Sequence, residues 1–225
     1  MAILKAVLEE VKQDLLQKNQ IRENAHEDMR KATSLSKQAI LLIHQKKQFE
    51  AEKMIKDATE KIANLHSRAK QYPDIIYGGM FSATLQEYAE ASIFLTLIKE
   101  DRFITPKEIN VPSIDYTLGL ADVIGEYRRL SLDTLREDDA KKGEEYLKVM
   151  DEIFIELLAL DEAYMLVPGL RRKSDVARKI IEATRGDITQ EVRRKSLEDY
   201  LKHFAPTQTK SKKPRKTKKA NSTTK

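Results

Sequence analysis

Apolar residues recur at three- and four-residue intervals along almost the whole chain, and no stretch alternates with the period of a strand. Leu4, Val7, Leu8, Val11 and Leu15 begin a helical stripe that Met29, Ala32, Leu35, Ala39, Ile40 and Ile43 continue, with no breaker between them. The spacing predicts one long first helix ending near His44. Met54, Ile55, Ala58, Ile62 and Leu65 mark a second helix, closed by Tyr72-Pro73, and a third is expected from about Asp74 to Glu100. Thr105-Pro106-Lys107-Glu108 has the form of a capping box with proline at the first helical position, which predicts one short helical turn. Val111-Pro112-Ser113 caps a fourth helix running to about Arg136, and a fifth carries Tyr146, Leu147, Met150, Ile153, Phe154 and Leu157. A sixth follows Pro168-Gly169 and is expected to stop at Arg185-Gly186, where Asp187 with Gln190 reads as the cap of a seventh ending near Phe204. The fold class is all-α, an antiparallel bundle of about seven helices in which short loops make successive helices neighbours.

Composition agrees and narrows the chemistry. With no cysteine among 225 residues, thiolate metal sites, thiol catalysis and disulfides are excluded. The first apolar residues are interrupted by Lys5, Glu9 and Glu10, so no signal segment is visible, and the expected location is cytoplasmic. The net charge of +5 is misleading. From Lys210 onward the chain holds eight Lys or Arg and no acid, which leaves a net −3 for everything before it. Residues 1–204 are therefore read as one helical domain and 205–225 as a disordered Lys-rich tail. Such a tail suits phosphate contacts, or serves only as a solubilising terminus.

The third expected helix departs from the chain's polar character. Between Tyr77 and Ile98 the only charged residues are Glu87 and Glu90, although 34% of the chain is charged. Those two lie one turn apart on one face of an apolar segment too polar to span a bilayer. A second pair, Asp122 and Glu126, follows at i, i+4 in GLADVIGEYRR. Carboxylates in apolar company are costly unless a cation meets them. Either they pair with arginines, Arg128 and Arg129 being nearby, or they hold a metal. All-oxygen donors favour a hard cation, Mg²⁺ or Mn²⁺. A di-iron site is disfavoured because the single Glu-x-x-His, Glu23 to His26, sits in a strongly polar segment. No serine has the setting of a hydrolase nucleophile, and His44, in AILLIHQKK, reads as a boundary residue of the core. Gly119 and Gly125 in the fourth helix point to close helix packing.

The segments LQEYAEA (Leu85–Ala91), IDYTLGLADVIGEYRRLS (Ile114–Ser131), SKQAILLIH around His44 and Thr184–Gly186 resemble the translin family, and more narrowly its archaeal members and the translin-associated factor X subunit. The resemblance covers most of residues 20–200. It implies a seven-helix bundle that assembles into hollow octamers around single-stranded or short duplex nucleic acid. It also implies that Glu87, Glu90, Asp122 and Glu126 match the catalytic and metal-binding acids of the nuclease subunit, with Mg²⁺ or Mn²⁺ as cofactor. The inactive subunit lacks the first Glu pair, so this chain looks like the catalytic type. The implied activity is endoribonuclease cleavage of single-stranded or small structured RNA; the alternative is a shell that binds single-stranded DNA or RNA without cutting it. One departure stands out: the Arg and His cluster with which translin meets nucleic acid is replaced here by IIYGGMF (Ile75–Phe81). Arg128, Arg129, Arg171, Arg172, Lys173 or the tail would then make those contacts. A homo-oligomer is expected, with RNA preferred to DNA and no membrane partner.

Overall fold

The computed structural model describes residues 2–204; the basic tail, expected to be disordered, lies outside the described residues. Seven α-helices and one short 3₁₀ helix make up the described chain, with no strand. They are α1 (Ala2–His44), α2 (Gln48–Ala69), α3 (Pro73–Ile76), α4 (Gly79–Glu100), α5 (Ser113–Arg136), α6 (Ala140–Leu158), the 3₁₀ segment (Asp161–Leu166) and α7 (Leu170–Phe204). The number of helices agrees with the sequence, but two boundaries moved. The expected third helix breaks at Tyr77-Gly78, both in extended conformation, which separates α3 from α4. The expected sixth and seventh helices are one. Gly186 costs about 1 kcal/mol in a helix interior, but Ile181, Thr184 and Ile188 around it are buried and hold the helix continuous. Asp187 does not cap; it meets Arg128 at 3.2 Å.

The core is built around α4. Phe81, Leu85, Tyr88, Ala89, Ile93, Phe94 and Leu97 are buried, and between Ala89 and Leu97 no residue is exposed. That burial on all sides explains why the segment lacks a polar face. It packs against α1, α2 and α5, and α6 and α7 close the far side with Met150, Ile153, Leu157, Leu170 and Ile181. Thr105 and Glu108 make the reciprocal capping bonds, at 2.7 and 3.3 Å, around a turn rather than a helix.

Helix direction matters most for the site. Asp28 of α1 pairs with Lys61 and Arg68 of α2, and Arg185 of α7 with Asp151 of α6, as antiparallel hairpins require. Neighbours α4 and α5 instead run the same way: Asp115 receives a hydrogen bond from Ser82, Gly119 lies against Gln86 and Glu90, and Tyr127 against Phe94. The 101–112 connection crosses back to make this possible. A Cβ on Gly119 would fall 2.7 Å from the Gln86 carbonyl oxygen and 2.9 Å from Ala89 Cβ, so glycine permits this approach. Gly125 has no such neighbour. Among the described residues no helix is long and apolar enough to cross a membrane.

Candidate functional site

Because α4 and α5 run in parallel and touch at Gly119, the turn bearing Glu87 and Glu90 faces the turn bearing Asp122 and Glu126. Glu90 lies deepest, 9% exposed. Its carboxyl group is pushed up to about 8, first by burial and then by the negative charges of Asp122, Glu126 and Glu87, with Lys173 acting in the opposite sense. It is therefore protonated at neutral pH in the protein alone. The Glu90 carboxyl group makes no hydrogen bond or ion pair among the described residues. All four acids thus belong to one electrostatic neighbourhood centred on Glu90.

The other three each have a cationic or imidazole partner from a different helix. Lys37 of α1 reaches Glu87 at 3.2 Å. His44, the last residue of α1, places Nε2 2.5 Å from Glu126 Oε2. Its ring packs on Phe94 at 5.2 Å, and its buried Nδ1 has no partner. Lys173, in the first turn of α7, donates to Asp122 and, at 3.3 Å, to the Leu118 carbonyl. No arginine among the described residues forms an ion pair with any of the four acids. Among the described residues no three His, Asp or Glu side chains stand close enough to hold one ion as placed.

The donor chemistry nevertheless suits a hard divalent cation. Four carboxyl groups offer oxygen alone, and the central one has no counter-charge. Seating an ion would require Glu90 to lose its proton and Lys173 to release Asp122.

The five basic residues singled out for nucleic acid divide sharply. Arg128 ties α5 to α7 through Thr184 (2.8 Å), the Ile180 carbonyl (3.5 Å) and Asp187, so it is structural. Arg129 is exposed on α5. Arg172 and Lys173 line a cleft of about 390 Å³ with Asp122 and Gly125. Arg171 faces a separate cleft of about 580 Å³ beside Tyr164 and Arg178. Sequence reasoning missed Lys37 and the role of His44. Their i, i+7 spacing puts them on one face of α1, but nothing local says which carboxylates that face would meet. It also passed over Asp115, which is buried and satisfied by Ser82 and Gln86.

A family model described as "Translin family" matches residues 20–184. A protein of Methanocaldococcus jannaschii described as "Uncharacterized protein MJ0175" is 38% identical over 150 residues, which cover 66% of this chain and 65% of that relative, just under two thirds of its length. The structure of AfC3PO in complex with duplex RNA aligns with a TM-score of 0.72 at 33% identity, over 82% of this chain and 95% of that one. The crystal structure of AfC3PO aligns at 0.73 and 34% identity, over 82% and 96%. That of apo-NeC3PO reaches 0.73 at 23% identity over the same shares, a likeness of fold.

Proposed function

The chain belongs to the translin family, and on that footing we propose that it is a metal-dependent endoribonuclease, cleaving single-stranded or small structured RNA as a homo-oligomer. The observation that carries this reading is Glu90, a buried carboxyl group with no partner among the described residues, surrounded by three further acids on two helices packed closely at Gly119. Such a group is expensive in a purely structural role, and its cost falls when a cation arrives. Glu87, Glu90 and Asp122 would hold Mg²⁺ or Mn²⁺, with Glu126 completing the set or orienting the attacking water. The ion would supply Lewis acidity, polarising the phosphodiester and making a water molecule more acidic. His44 fixes the Glu126 carboxylate against a rigid core ring. Arg172, which lines the cleft beside Asp122, and Lys173 once it releases Asp122, would meet phosphate oxygens. The structure of AfC3PO with duplex RNA supports RNA as the ligand class.

One observation favours a second reading, a nucleic-acid-binding protein that does not cut. Lys37, His44 and Lys173 already take one acid each. Labelled RNA incubated with the protein in Mg²⁺ or in EDTA separates the two. Products that vanish with chelator support the nuclease; a retarded, intact strand in both supports the binder.

A further inference from the structure

The first four to five turns of α1 stand apart from the bundle. Every residue from Ile3 to Lys18 is exposed, including Ile3, Leu4, Val7, Leu8, Val11 and Leu15, which are 47–82% exposed. This length, about 24 Å at 1.5 Å per residue, precedes residue 20, where the family match begins. It therefore belongs to no part of the carboxylate site, and the inference is independent of the nuclease reading. These turns propagate from the packed part of α1 and carry no packing of their own, and an apolar stripe of this size marks an interaction surface.

The pattern indicates what covers it. Leu4, Leu8, Val11 and Leu15 are spaced 4, 3 and 4 residues, the d, a, d, a positions of a heptad seam. Leu4, Lys5, Leu8, Glu9 and Lys12 outline a surface hollow of about 350 Å³, a place for a knob from a facing helix. Residues 2–18 contain three Lys and three acids. That balance suits neither a nucleic acid nor an anionic membrane, and Asp14–Lys18 (2.8 Å) and Glu9–Lys12 (3.9 Å) neutralise each other within the helix.

We propose that this stripe is a self-association seam: residues 3–15 of two copies of the chain pair as a parallel coiled coil. In a parallel pair the flanking positions bring Val7 opposite Lys12 of the second copy, and no like charges face within residues 3–15; Lys18, at the next d position, would meet its own copy and ends the seam. An antiparallel pair with Leu4 over Leu15 would set Lys5 against Lys12. Two heptads alone form a weak pair. Joined to subunits already held near each other, they gain from the high effective concentration.

The chain has no cysteine, so single cysteines report proximity cleanly. Full-length Leu4→Cys, mildly oxidised in dilute solution, is expected to yield a disulfide-linked dimer, because d positions of a parallel pair lie within the roughly 4.4–6.8 Å between Cα atoms that a disulfide requires. Ala6→Cys, on the opposite face, is expected to stay monomeric on a non-reducing gel. Adding Leu8→Lys to Leu4→Cys should abolish the cross-link while leaving the helical circular dichroism of the bundle unchanged. No dimer from Leu4→Cys, equal dimer from Ala6→Cys, or a cross-link that survives Leu8→Lys would each overturn the proposal.

Discussion

His44 Nε2 lies 2.5 Å from Glu126 Oε2, joining the end of α1 to the middle of α5. The pair sits at the boundary between core and groove: His44 is 3% exposed and Glu126 23%. His44→Ala removes a buried ring from Phe94 and leaves Glu126 unpartnered. The expected loss is about 1–3 kcal/mol of stability, read by urea unfolding, together with slower RNA cleavage. His44→Gln, which keeps a donor, should recover part of both. Unchanged stability in His44→Ala would show that the pair contributes nothing.

The raised Glu90 carboxyl group makes a pH prediction. In the unfolded chain a glutamate ionises near 4.5, while in the fold Glu90 ionises only at about 8. Between those values the folded state holds the proton that the unfolded state has lost. The contribution of Glu90 is thus fully present below about pH 4.5 and is lost as pH rises to 8. Glu90→Gln should therefore stabilise the metal-free protein, by an amount that grows across this window and reaches roughly 1–4 kcal/mol above pH 8. Thermal unfolding of both proteins from pH 5 to 9 in EDTA tests it; parallel Tm curves would contradict it.

Much of this was visible before any coordinates. The 3.6-residue period and the absence of strand alternation specified an all-helical chain, whereas the two capping signals misled: Thr105 closes a turn, and Ser113 is the first residue of α5 with Pro112 before it and no side-chain cap. Glu87, Glu90, Asp122 and Glu126 stood out because they interrupt apolar segments. What could not be read was long-range. The same-direction run of α4 and α5 depends on where the 101–112 connection travels, and that connection resembles any loop. At Gly186-Asp187 the local stop-and-cap signal was plain, but burial of Thr184 and Ile188 outweighed it. Lys37, His44 and Lys173 lie 50, 82 and 51 residues from the acids they meet, so only the fold identifies them as partners.

The two glycines of α5 should behave oppositely. Gly119→Ala forces a Cβ to 2.7 Å from the Gln86 carbonyl, which cannot yield without parting α4 and α5. A loss of about 1–3 kcal/mol is expected, with cleavage falling because the acid pairs separate. Gly125→Ala meets nothing within 4 Å and should be neutral, or stabilising by about 0.5–1 kcal/mol. Circular-dichroism melts of the two variants suffice, and equal destabilisation would contradict the account.

The basic residues separate by role. Arg128→Ala is expected to lower stability, because Thr184 and Asp187 lose their partner, without changing the salt dependence of RNA binding. Arg172→Ala should leave the Tm in place, weaken RNA binding, and reduce the slope of log K against log salt by about 1. Filter binding at several salt concentrations distinguishes them. An unchanged slope for Arg172→Ala would remove that residue from the interface.

The central claim is that the acids of α4 and α5 carry a metal-dependent cleavage. Its most direct test is an RNA-cleavage assay in Mg²⁺ comparing wild type with the Glu87→Gln/Glu90→Gln double variant, both verified as folded and of equal oligomeric mass. The expected result is cleavage by the wild type that EDTA stops, and a rate at least about 100-fold lower in the double variant. Equal cleavage by both proteins, or cleavage by the wild type that persists in EDTA, would contradict it.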